Sequence, residues 1–188
     1  MQKIGEIHRG NANIWYGIGI GFVLTAVSLW LSIWALDLDI SLYLQANKIW
    51  EVLLILPTML LAFVIHECIH VVLFKLFGKG KARIKVSREK SVGAVVMHQV
   101  NEEVFYKRWE MIIILLSPLM LLSLFFYGLH LCITMPFLIV VNIVLNAIGS
   151  SVDVYASLIL LCKGCPNIVV NFDSSMVKMN IYHLNKKL

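Results

Sequence analysis

Residues 49–77 read IWEVLLILPTMLLAFVIHECIHVVLFKLF. A helix needs about 20 predominantly apolar residues to cross the hydrocarbon core of a bilayer, so this stretch predicts a transmembrane helix. Three ionisable side chains nevertheless fall within five consecutive positions: His66, Glu67 and His70. Ionisable groups at membrane depth are costly and usually mark function. The pattern is H-E-x-x-H, and its i, i+4 spacing puts both imidazoles on one helix face, one turn apart, where two nitrogens can grip one metal ion. Glu67, next to the first ligand, can reach a metal-activated water. It would take the proton during attack on a carbonyl and return it to the leaving amine. The plainer alternative, two histidines satisfied by helix contacts, has to explain three ionisable groups clustered in an apolar span.

The rest of the chain has the same apolar character. Of 188 residues, 60% are hydrophobic and 14% charged, against roughly 45–50% and 25% in an ordinary soluble domain. Three further stretches qualify as spans, at about 13–36, 111–133 and 136–162. Backbone groups in lipid must bond internally, so all four are expected to be helices. The first is longer than a signal-peptide core, lacks a clear small-residue cleavage site and reads as a retained helix. The expected fold is an all-α polytopic membrane protein, one integral-membrane domain over residues 1–188, with four transmembrane helices.

The formal net charge is +5, yet the basic residues sit beside apolar segments, where they set topology or meet anionic lipid head groups; nucleic acid is not an expected partner. Lys3 and Arg9 precede the first span, Lys163, Lys178, Lys186 and Lys187 follow the fourth, and nine Lys or Arg from Lys75 to Arg108 surround the long connection. Residues 37–48 carry only Lys48 against Asp37 and Asp39. By the positive-inside rule both termini and the 78–110 connection are cytoplasmic. Within that connection, residues 82–86 alternate with period two and residues 91–100 are rich in Val, which predicts a small cytoplasmic β-hairpin between helices two and three. It reads either as a loop on lipid head groups or as an edge strand that holds an extended peptide. Residues 168–172 carry a weak strand signal.

Catalytic zinc usually takes three protein ligands and a water. Asp153 is the candidate third ligand, as the only acidic residue within the first, third or fourth span. His66 and His70 lie eleven and seven residues before Phe77, and Asp153 nine before Cys162. At about 1.5 Å per residue all three fall roughly 10–17 Å from the inner ends of their spans. Asn142, Asn146, Ser150 and Asp153 form a polar stripe on the fourth span. Asn142 reads best as an interhelical hydrogen bond. Asn146 and Ser150 are candidates to orient the carboxylate or to steady a substrate carbonyl. Ser117-Pro118 predicts a kink in the third span that shapes packing or opens space for substrate. Cys162 and Cys165 form an isolated C-x-x-C whose structural reading outweighs metal binding or redox cycling; thiols are expected to be reduced. His8, His98, His130 and His183 have no partner spacing.

With His66-Glu67-x-x-His70 in one span, Ser117-Pro118 in the next and Asn146-Ala-Ile-Gly-Ser-Ser-Val-Asp153 in the last, the chain resembles the DUF3267 zincin-like peptidases, which look like small relatives of the site-2 intramembrane metalloproteases. The resemblance covers about residues 50–160. It implies zinc held by His66, His70 and Asp153, Glu67 as catalytic base, and hydrolysis of a membrane-associated or transmembrane peptide near the cytoplasmic face, in a bacterial cell membrane. Typical site-2 proteases set the aspartate in Asn-Pro-Asp-Gly or Leu-Asp-Gly, whereas here it stands in Ser151-Val152-Asp153-Val154, and no PDZ or CBS module is attached. Two rival expectations are a non-catalytic metal-binding membrane protein, such as a pseudoprotease or peptide-binding factor, and a metal transporter. Four spans without repeated halves weaken the second.

Overall fold

The computed structural model describes residues 1–8, 11–35, 49–81, 84–88, 95–99, 104–133, 135–164, 167–172 and 178–184. In chain order these form β1 (Gln2–His8), α1 (Asn11–Ala35), α2 (Ile49–Phe77), β2 (Ile84–Arg88), β3 (Val95–Gln99), β4 (Tyr106–Lys107), α3 (Arg108–His130), α4 (Pro136–Gly149), α5 (Ser151–Cys162), β5 (Ile168–Phe172) and β6 (Lys178–His183). The protein is mostly helical, with a small antiparallel sheet.

Three helices are long and apolar enough to cross a membrane: Trp15–Trp34 within α1, all of α2, and all of α3. The expected fourth span is not one helix. It is broken into α4 and α5, which bend by 48° about Ser150. Glycine and serine at 149–151 supply the cause, since sharp helix bends concentrate at such pairs. Ser150 sits at φ −81, ψ 0, and its hydroxyl donates back to the Asn146 carbonyl at 2.8 Å, a bond that competes with the helix ladder. Val154 N–H still reaches Ser150 O at 2.9 Å, so the chain re-enters the helix at once.

Helices consecutive in the chain alternate in direction, the broken pair of α4 and α5 counting as one. Contacts advance together along α2 and α4, from Glu51 with Leu138, through Thr58 with Asn142, to His66 with Asn146, so these two run parallel. α3 runs the other way, its Ile114 meeting His70 and its Leu119 and Ser123 meeting Asn146. α1 follows α3: Tyr16 stacks on Tyr155 of α5 at 5.7 Å, and Ser32, further along, meets Tyr127 near the far end of α3.

The sheet corrects the expectation of an all-α protein with a lone hairpin. Besides the antiparallel β2–β3 pair there is a four-stranded sheet in the order β1-β6-β5-β4, antiparallel throughout. It gathers the first strand of the chain, the end of the central connection and the two last strands at the end of the bundle where α2 stops and α3 begins. Residues 82, 83, 91–94 and 100 of the predicted hairpin lie outside the described residues; the pairing runs from Ile84↔Gln99 to Arg88↔Val95.

Two apolar clusters divide the bundle. Tyr106, Met111, Ile114, Leu160, Val170 and Ile181 belong to the one beneath the sheet; Leu122, Phe126, Ile139 and Ile143 form the one at the other end. Hydrogen bonds lock the sheet end to the helices. Tyr106 OH donates to Phe74 O at 3.2 Å, Arg108 Nη1 donates to Lys163 O at the close of α5 at 2.9 Å, and Lys107 N–H donates to the Glu110 carboxylate at 2.8 Å at the start of α3. α2 stops through a left-handed pair, Lys79 at φ 51 and Gly80 at φ 75, with Gly80 N–H closing on Lys75 O at 2.9 Å.

Candidate metal centre

Along each of three elements the polar positions fall between the two apolar clusters. On α2 the buried residues are His66, Glu67, His70 and Phe74, which share one face. Most leucines of the same helix, among them Leu53, Leu56, Leu60, Leu61 and Leu76, are exposed. From α4 and α5 the buried Asn142, Asn146 and Asp153 meet α2 at Thr58, at His66 and at both histidines, while Ser150 is buried at the bend between them.

His66 Nε2 lies 3.5 Å and His70 Nε2 3.4 Å from the same oxygen, Oδ2 of Asp153. One ligand atom from each residue lies within 4.8 Å of the others, and all three residues are buried. The two imidazoles stand edge to face, with ring centroids 4.9 Å apart. Glu67 is buried beside them.

The opposite nitrogens of both rings are held. His70 Nδ1 lies 3.0 Å from the Ile114 carbonyl oxygen of α3. A carbonyl only accepts, so Nδ1 carries the proton and the Nε2 lone pair faces Asp153. His66 Nδ1 lies 3.4 Å from Asn146 Oδ1. The amide is oriented by its other end, where Asn146 Nδ2 donates to Leu119 O at 3.3 Å and Ser123 Oγ at 3.4 Å. Histidines whose second nitrogen is fixed by an oxygen acceptor are the usual arrangement behind a metal.

This donor set fits zinc. Nitrogen and oxygen ligands about 2.0–2.2 Å from a tetrahedral ion stand about 3.3–3.6 Å apart, which brackets the two histidine-to-Asp153 distances of 3.5 and 3.4 Å. A charge-assisted hydrogen bond from an imidazolium would be shorter, about 2.7–2.9 Å. A lone carboxylate at this depth would be expensive, and a metal shared with two neutral imidazoles removes that cost.

Other predicted residues sit differently. Asn146 is bonded to His66, not to the Asp153 carboxylate. The Ser150 hydroxyl is bonded to the Asn146 backbone, so it serves the bend. Asn142 makes the interhelical contact, donating to Thr58 Oγ1 at 3.0 Å and to Leu138 O at 2.9 Å. Cys162 is exposed and free, and Cys165 lies outside the described residues. Among the described residues His130 and His183 stand apart from the cluster; the side chains of His8 and His98 are not described. The residue missed by sequence reading is Ile114, whose contribution is a backbone carbonyl.

Comparison with curated proteins and with solved structures returns no match. A family model does match: DUF3267, described as "Putative zincin peptidase", over residues 59–167. The matched segment holds His66, Glu67, His70, Asn146 and Asp153 together and covers more than half of the chain, which therefore belongs to the DUF3267 family.

Proposed function

We propose that this protein is a membrane-embedded zinc endopeptidase. The observation that carries the reading is the convergence of two imidazole Nε2 atoms on one buried Asp153 oxygen, each ring fixed from behind, next to a buried glutamate. His66, His70 and Asp153 hold the metal. Zinc, when bound, supplies Lewis acidity toward water and toward a carbonyl oxygen. Glu67 accepts a proton from the attacking water and delivers it to the amide nitrogen as the peptide bond breaks.

The membrane setting is supported by the inverted burial of α2, which buries His66, Glu67 and His70 and exposes most of its leucines. Only an apolar surround makes that arrangement favourable. The sheet supports four crossings. β1, β4 and β5 lie in one sheet, so an even number of crossings must separate each from the next. If α1 and α2 both cross, then α3 is followed by a second crossing made of α4 and α5. The sheet end carries Lys3, Lys107, Arg108 and Lys163, which supports the reading that it lies on the cytoplasmic side; a bacterial cell membrane is part of the proposal. Lipid is then the surrounding partner.

A helix hides its carbonyls, so a transmembrane substrate must be unwound locally or arrive extended. β2 and β3 have one partner each among the described strands, and β3 lies against α2. Their free edges suit an extended peptide held by main-chain hydrogen bonds.

The test is zinc per molecule in detergent-purified protein, combined with cleavage of a panel of membrane-anchored peptides. Wild type is expected to hold about one zinc, with sharp loss in His66→Ala and Asp153→Ala. Glu67→Gln keeps zinc and loses cleavage. Zinc without any Glu67-dependent cleavage would favour a metal-binding pseudoprotease, and metal flux in liposomes would favour a transporter.

A further inference from the structure

The carbonyl that fixes His70 is free for a reason that lies one turn further along α3. In a continuous α-helix the N–H of residue 118 would bond to the carbonyl of residue 114. Residue 118 is Pro118, which has no N–H and whose ring pushes the i−4 carbonyl off the helix axis. The oxygen so released is Ile114 O, 3.0 Å from His70 Nδ1. Ile114 and Pro118 are both buried, and a buried backbone carbonyl needs a donor. The neighbouring hydroxyl, Ser117 Oγ, is spent on Ile113 O and does not compete.

We propose that Pro118 is a positioning residue for the metal centre: by withholding a helix hydrogen bond it reserves the Ile114 carbonyl for His70 and holds that ring with its proton on Nδ1 and its lone pair toward Asp153. The proposal rests on the zinc reading above and adds to it a backbone acceptor made by a proline. Pro57 in α2 offers an internal comparison, being an exposed proline within a helix and distant in sequence from the cluster.

Zinc affinity, measured by competition with a chromophoric chelator in detergent, is compared for wild type, Pro118→Ala and Pro57→Ala. Nitrogen-15 spectra of histidine-labelled, zinc-free protein report the His70 tautomer, assigned with His70→Gln. Pro118→Ala restores an N–H that engages Ile114 O. It is expected to stay helical, to bind zinc about 10–100-fold more weakly, and to shift His70 toward the tautomer protonated on Nε2. Pro57→Ala should match wild type. Unchanged affinity in a folded Pro118→Ala overturns the proposal and leaves the metal centre standing. A His70 proton on Nε2 in the wild type overturns it even if Pro118→Ala does not fold. No zinc in the wild type removes the metal reading and this one with it.

Discussion

In the proposed metal centre each imidazole has two jobs, one nitrogen for the metal and the other for its support. The supports differ in kind: a side-chain amide for His66, a main-chain oxygen for His70. Asn146→Ala should therefore weaken zinc binding by about 10–100-fold, the usual effect of removing the partner behind a metal-binding histidine. Ser150→Ala, which removes a hydroxyl bonded to backbone, should leave zinc affinity unchanged; the same chelator competition separates the two. A matching loss in both variants would mean that the bend, not the amide, governs the site. The cluster of His66, His70 and Asp153 was legible in the sequence because metal chemistry demands particular side chains at particular spacing. The support for His70 was not, since every residue has a carbonyl and only a missing N–H four positions later betrays which one is free. Asn146 was legible as a neighbour of the site but not as a partner of His66, because its stripe on α4 and α5 also pointed at Asp153.

Among the elements, the apolar runs located α1, α2 and α3 to within a few residues, because a long lipid-compatible helix is specified by composition alone. The break between α4 and α5 was written in Gly149-Ser150-Ser151, but an apolar run that length reads as continuous. The four-stranded sheet was hidden for another reason: β4 has two residues, and the pairing of β4 with β5 and of β1 with β6 is a long-range event that local pattern does not reveal. At the junction of sheet and helix, burial pushes the Tyr106 phenol above its ordinary value of 10.0, with the Glu110 carboxylate adding to the effect. A raised folded value means that the neutral phenol stabilises the fold fully below pH 10.0 and that this contribution is lost as pH rises through the folded value. Tyr106→Phe should cost about 1 kcal/mol at neutral pH, through the lost bond to Phe74 O, and should flatten the fall in thermal midpoint between neutral and strongly alkaline buffer. An equal alkaline fall in the variant would place the titration elsewhere. Glu51 ties α2 to α4, its carboxylate accepting Leu138 N–H at 2.9 Å. Glu51→Ala should lower stability by about 1–2 kcal/mol, as removal of a charged helix cap does, read as a lower thermal midpoint with zinc content retained.

At the scale of the whole molecule, the proposed four crossings predict that a reporter fused before β1, one inserted after Gly80 and one fused after β6 all register the same compartment, while a reporter in residues 37–48 registers the other. A single discordant end would break the parity on which the four crossings rest. Gln2 pairs with His183 and His8 with Lys178, so β1 waits for a strand made long after it. Through most of translation β1 has no neighbour, and the helices must insert and settle before the sheet can close. A chain stalled before Lys178 would carry bare edges on both β1 and β5, a template for pairing with other stalled chains. β6, standing between β1 and β5, is thus the strand whose arrival closes the sheet.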